Sequence, residues 1–311
     1  MMDTGNSGHL IRSEVWSSQL KEVLEDELMG QGYVNWMNEF PDGTTFTIPS
    51  IGQAQTDDYT ENSSVQYRAL DTGEFQFTIN KYKSSGNYIT NKAKQDAYYM
   101  NQLVSSFVPK QARAIMETLE TDIMALSGSQ TSANTNSING AEHRFCGSGT
   151  NEVITVADFA KARYALKKAN VPDRNLIAIV DPSVEYQMNT LTNISNISNN
   201  PRWEGIISSG IASGMSFLAN IYGFDVYTSN YLADANETIG GVTTAAGKAN
   251  MFFSADSTVL HCVGAWRQMP QVDSEYNKDK QREEYVTTAR YGVALYRPEN
   301  LVCVLTDTDQ V

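Results

Sequence analysis

Between Phe46 and Leu126 the hydrophobic period changes once, from two residues to the helical spacing, and that change constrains the fold most. Phe75, Phe77 and Ile79 alternate with Glu74, Gln76, Thr78 and Asn80, which gives a strand one apolar face. Phe46 and Ile48 alternate in the same way before Pro49. The two segments read as strands of a long hairpin. A polar, acidic stretch from Gln53 to Leu70 joins them and carries Asp57, Asp58, Tyr59 and Glu61. A two-stranded arm cannot bury an apolar face by itself. The expectation is that Phe75, Phe77 and Ile79 have no surface to cover within the chain and lie on a neighbouring subunit. From Asn91 the period is helical: Ala93, Ala97, Met100, Val104, Phe107, Ala112, Ile115, Leu119, Ile123 and Leu126 hold one stripe. Val104, Ile115, Leu119 and Ile123 are its expected core. A continuous helix over 91–127 would span roughly 50 Å at 1.5 Å per residue. Pro109 is expected to kink this helix and not to start a second one, because the stripe keeps its phase across it.

Ahead of the hairpin, Ser13 to Met29 reads as a helix with Trp16, Leu20, Val23, Leu24 and Leu28 on one side. Ser13 can cap it and Gly30 can end it. A connector with Tyr33, Trp36 and Phe40 follows. So little apolar area cannot fold alone, so Trp16 and Trp36 are expected to dock on a neighbour. After the long helix, Ser127 to Gly149 reads as a polar surface loop or a turn carrying a short hairpin. Thr155 to Ala169 is a helix opened by a capping box, Thr155 with Asp158. Leu176 to Val180 is a continuous apolar run that fits a strand buried on both faces. Asp181-Pro182 then supplies a cap and a first-turn proline for a helix to about Leu191. Thr192 to Pro201 reads as loop. Ile221 to Tyr227 is strand-like with Gly223 as a bulge, and Ala233 to Ala249 is a small-residue loop. Met251–Phe253 and Val259–Val263 read as short strands, and Gln271 to Lys280 as a polar, charged segment. Tyr285 to Tyr296 is a long strand with Leu301 to Leu305 as its hairpin partner. The class is α+β.

The chain has 311 residues, 41% hydrophobic and 19% charged, which is a globular composition. No apolar run approaches the ~20 residues of a membrane helix, and the polar start lacks the pattern of a secretory signal. A formal charge of −13 disfavours direct nucleic-acid binding, which relies on Lys and Arg. Cys146, Cys262 and Cys303 form no CxxC pair and read as free thiols. There is no GxSxG, phosphate loop, HExxH or GxGxxG. His261 reads as a satisfied sheet residue, Asp57-Asp58 as solvated charge, and Asp273, Glu275 and Asp279 match no cation-loop spacing. No catalytic residue, metal or cofactor is expected.

The order of elements resembles the major capsid proteins of tailed bacteriophages, the HK97-like fold family shared with encapsulins. The resemblance covers nearly the whole chain. It rests on the arm, the extended hairpin and the long helix. Next comes Leu166-Lys167-Lys168-Ala169-Asn170-Val171-Pro172-Asp173-Arg174, followed by a strand and Asp181-Pro182-Ser183. Gly223-Phe224-Asp225-Val226-Tyr227-Thr228-Ser229-Asn230 and Tyr291-Gly292-Val293-Ala294-Leu295-Tyr296-Arg297-Pro298-Glu299 complete it. It implies an N-terminal arm (1–43), an extended loop (44–90), a spine helix with a peripheral domain (91–144) and an axial domain (145–250). Residues 251–311 would return to the peripheral domain. It further implies hexamers and pentamers of an icosahedral head around double-stranded DNA that is not specifically bound. Trp16, Trp36, Phe46, Ile48, Asp57, Asp58, Tyr59, Phe75, Phe77 and Ile79 would sit at subunit interfaces. A separate scaffolding protein, a portal and a decoration protein would be partners, with assembly in the host cytoplasm and no membrane. Two other readings stay open: an encapsulin-type compartment shell and a soluble α/β enzyme.

Overall fold

A computed structural model describes residues 28–37, 43, 45–52, 56–58, 60–65, 67, 72–96, 100–130, 137–190, 217–244 and 246–307. The expected helix from Ser13, with Trp16, and the loop positions Tyr59 and 192–201 lie outside them. In chain order the elements begin with β1 (Val34–Trp36), β2 (Thr45–Ile51), β3 (Thr72–Thr78) and β4 (Lys81–Thr90). Then come α1 (Asn91–Asp96), α2 (Met100–Met124), β5 (Ser137–Ile138), β6 (Ala141–Glu142), β7 (Arg144–Cys146) and α3 (Val156–Lys168). They continue with β8 (Leu176–Val180), α4 (Pro182–Thr190), β9 (Phe217–Ile221), β10 (Phe224–Thr228), β11 (Thr238–Ile239) and β12 (Val242–Thr243). The last are β13 (Gly247–Ser254), β14 (Cys262–Asn277), β15 (Arg282–Leu295) and β16 (Val302–Asp307).

Two sheets carry the fold. The first has the order β1-β14-β15-β4, and α2 lies across one face of it. The 25 residues of α2 span about 37 Å. Pro109 lies inside this helix, which does not restart there. Ile115, Leu119 and Ile123 are buried, and Leu119 and Ile123 pack with Val34, Cys262 and Tyr291 of the sheet. Val104 lies on the same helix. Polar contacts fix the register of helix on sheet. Thr287 Oγ1 donates to Gln111 Oε1 at 3.1 Å, and the Tyr291 hydroxyl donates to Asp122 Oδ2 at 2.7 Å.

The second sheet has the order β7-β16-β13-β8-β10-β9. The β8 residues are buried on both faces, which is why Leu176–Val180 shows no alternation. On one face α3 packs Phe159, Ala162, Ala165 and Leu166 against Phe224 and Phe252. These three phenylalanine rings meet edge-on, with centroids 5.0 to 6.4 Å apart. The expected capping box opens α3: Thr155 and Asp158 exchange side-chain and backbone bonds. On the other face Met124, at the end of α2, packs with Ile177, Ile179, Met251 and Phe253. The long helix therefore touches both sheets.

Several expectations are corrected. Leu301 to Leu305 does not form a hairpin with the preceding long strand. β16 pairs instead with β13 (antiparallel) and β7 (parallel) in the second sheet. Residues 251–307 therefore divide between the two sheets. The polar, charged segment from Gln271 to Asn277 is the far half of the 16-residue β14. Gly223 is not a bulge. With Tyr222 it makes the two-residue turn between β9 and β10, both at positive φ (49° and 87°), a backbone shape that favours glycine. Within 233–249, β11 and β12 form a small hairpin around Gly240-Gly241. His261 is buried with no partner for either ring nitrogen, so it is not a satisfied polar residue.

Candidate functional site

The hairpin is the feature that projects from this framework. β2 and β3 pair in strict register, Phe46 opposite Phe77 and Ile48 opposite Phe75. Opposed residues share a face, so the alternation brings all four aromatic and aliphatic side chains together. That face does not lie bare. Phe46, Phe77 and Ile79 are buried against Val263 and Ala265 of β14, and Phe75 meets Tyr296 edge-on at 5.1 Å. The expectation that the stripe lacks a surface within its own chain is thus corrected. The sheet it covers was hidden because its strands come some two hundred residues later.

Gly292 makes this seating possible. A Cβ there would come within 2.8 Å of the Thr78 carbonyl oxygen and 2.9 Å of the Ile79 Cα. Trp36 is likewise held within the chain. It stacks on Trp266 at 5.2 Å, and its indole N–H donates to the Gln31 carbonyl at 3.1 Å. By contrast, Asp57, Asp58 and Glu61 on the connecting loop are exposed, as are Val65 (59%) and Tyr67 (96%).

Sequence reasoning missed Glu120. Its carboxylate is fully buried and accepts the backbone N–H of Gly30 at 2.7 Å and of Met29 at 3.2 Å. It fastens the chain where the N-terminal segment enters the fold. The signal was present, since Glu120 falls one position after Leu119 inside the apolar stripe. Arg144 was also missed. Its buried guanidinium makes two bonds to Glu237, at 2.9 and 2.7 Å, and one to the Ser127 carbonyl at 2.9 Å. On the first sheet, Lys81 and Lys83 both reach Asp122 on α2. Burial and the Asp122 hydrogen bond push the Tyr291 hydroxyl pKa up, and burial lifts that of Tyr33 to about 12.

Burial pushes the Cys303 thiol to about 12, far from a reactive thiolate. Among the described residues no three His, Cys, Asp or Glu side chains converge where an ion could sit. Among the same residues no helix is long and apolar enough to cross a membrane.

The model of the phage capsid protein family matches residues 71–304, more than half of the chain. No significant match was found among curated proteins. Solved structures align almost end to end. The capsid structure of cyanophage P-SCSP1u is 14% identical with a TM-score of 0.74, over 97% of this chain and 94% of that one. The capsid of cyanophage Pam1 is 14% identical with a TM-score of 0.71, over 99% of each chain. A chain of Mycobacterium phage Che8 is 16% identical with a TM-score of 0.69, over 96% and 97%. The α+β arrangement of hairpin, long helix and two sheets is the HK97-like capsid fold, and the chain belongs to the phage capsid protein family.

Proposed function

We propose that this chain is a major capsid protein whose copies form the hexamers and pentamers of an icosahedral phage head around double-stranded DNA. The family match, with alignment to capsid subunits over nearly the full length, carries this reading. Its role is structural and not catalytic. The four-stranded sheet with α2 serves as the peripheral unit and the six-stranded sheet as the axial unit. The hairpin and the N-terminal arm make the contacts between subunits, the loop with Asp57 and Asp58 reaching furthest. A separate scaffolding protein, a portal and a decoration protein complete the particle, which assembles in the host cytoplasm. The packaged DNA is enclosed without specific binding, in keeping with a net charge of −13.

The test is electron microscopy of particles formed by the chain with its scaffolding partner. Closed shells of hexamers and pentamers are expected, and nucleic acid inside particles from infected cells. A stable monomer or dimer under all conditions would overturn the reading. Particles holding one enzyme and no nucleic acid would replace it with a compartment shell.

A further inference from the structure

Residues 28–37 form a strap across the junction of the two sheets. Glu120 of α2 accepts the backbone N–H groups of Met29 and Gly30 at one end of it. Tyr33 meets Phe253 of the second sheet edge-on at 5.2 Å. β1 then joins the first sheet through β14, and the N–H of Met37 donates to the Gly264 carbonyl at 2.8 Å. His261 stands at the same junction, where the chain leaves β13 for β14. Its carbonyl accepts the N–H groups of Tyr296 and Arg297, on the return from β15 to β16. Its backbone therefore ties the two crossings together, while its ring lies 4.3 Å from that of Phe253. Phe253 is the middle of three rings, with Tyr33 and His261 as the others.

His261 is fully buried and both its ring nitrogens lack a partner. Phe253 is also wholly buried, whereas Met29 and Tyr33, which pack on the cluster that contains it, are only partly so. The strap is thus the outer layer over the ring stack. It is also the cheapest layer to move, since its helical turn has four residues and its strand three. The titratable groups facing this layer are Tyr33 of the strap, Glu120 of α2, Asp225 and Tyr227 of β10, Cys262 of β14 and Cys303 of β16. On the crossings, Asp256 is bonded to Thr258, and Arg297 and Glu299 are exposed. None of these acts on the His261 ring, whose pKa is lowered by burial alone. A proton taken up in the closed form would leave an unpaired cation in full burial, a cost that opening relieves. We propose that His261 is a proton-sensitive catch. With the ring neutral the strap stays down and holds the two sheets in one relation; uptake of a proton lifts the strap and frees the sheets to turn on the paired crossings. The device belongs to the single subunit and works with or without a shell.

Amide hydrogen exchange of the full, unassembled chain is followed by mass spectrometry between pH 7 and pH 5, each rate being divided by the intrinsic rate at that pH. The closed form refuses a proton that the open form accepts, so closure is favoured above pH 6.5 and weakens as pH falls towards about 3. Corrected exchange in peptides covering 28–37 should therefore rise about 25-fold from pH 7 to pH 5. The strap should also exchange well ahead of β8 at pH 5, because it opens without global unfolding. His261→Phe keeps a ring on Phe253 and removes the proton, and should cut the rise to below about threefold. Should that variant fail to fold, the unmodified chain still decides: its corrected strap rate must climb towards about tenfold per pH unit below pH 6. A flat corrected rate overturns the catch, and so does a strap that exchanges only in step with β8. A rise of equal size in His261→Phe would place the proton on another group, such as Glu120, and overturn it as well.

Discussion

His261 places an ionisable ring in full burial beside Phe253, with ring centroids 4.3 Å apart and neither nitrogen bonded. Burial disfavours its cation and lowers its pKa from 6.5 to about 3. The unfolded chain therefore takes up a proton that the folded chain refuses. Stability from this residue is complete above pH 6.5 and is lost as pH falls from there towards 3. At pH 5 the loss amounts to about 2 kcal/mol. His261→Phe keeps a ring against Phe253 and removes the proton. Chemical denaturation of the unassembled subunit at pH 7 and pH 5 should show a smaller acid loss in the variant, and equal losses would refute the assignment. The second test at this scale is steric. Leu119 is wholly buried between α2 and the first sheet. Leu119→Ala should cost about 2–5 kcal/mol in the same assay, the usual range for emptying a core site. A cost under ~0.5 kcal/mol would mean that the stripe does not face the core.

Elements were readable where their signal is local and hidden where it is not. The capping box of α3, the all-apolar β8 and the Asp181-Pro182 start of α4 each lie within a few residues, and each matches the structure. The polar far half of β14 is exposed on both faces, so it carries no alternation to read. The partners of β16 are chosen by β13 and β7, which no pattern within β16 announces. The hairpin stripe was visible but its cover was not, since the cover needs β14 in place. Gly292 joins the two halves of this problem. Gly292→Ala would push a methyl group into the Thr78–Ile79 backbone and force the hairpin away from β15. Such overpacking costs about 1–3 kcal/mol, and its effect on assembly should exceed its effect on folding. Removing residues 53–70 tests the same element from its other end. The seated base with Phe46 and Phe77 remains, so the subunit should stay folded and soluble while closed shells fail to form. Full shell yield after that deletion would show that the loop is dispensable.

At the scale of the whole particle the question is what holds one subunit to the next. The chain carries 36 acidic and 23 basic residues, so neighbouring copies repel at long range. Exposed ion pairs contribute only ~0–1 kcal/mol each and offset little of this. A wall rich in Lys and Arg would also hold packaged duplex by counterion release, which works against later ejection. Cohesion must then come from apolar area and hydrogen bonds. Molar salt separates these contributions. At 1 M the screening length is about 3 Å, so general repulsion and exposed pairs are both largely screened. Assembled shells should therefore persist in 1 M sodium chloride at neutral pH, and assembly from subunits should not be slowed by it. Light scattering and electron microscopy before and after salt transfer would follow both. Prompt dissociation in molar salt would mean that exposed ion pairs carry the lattice after all.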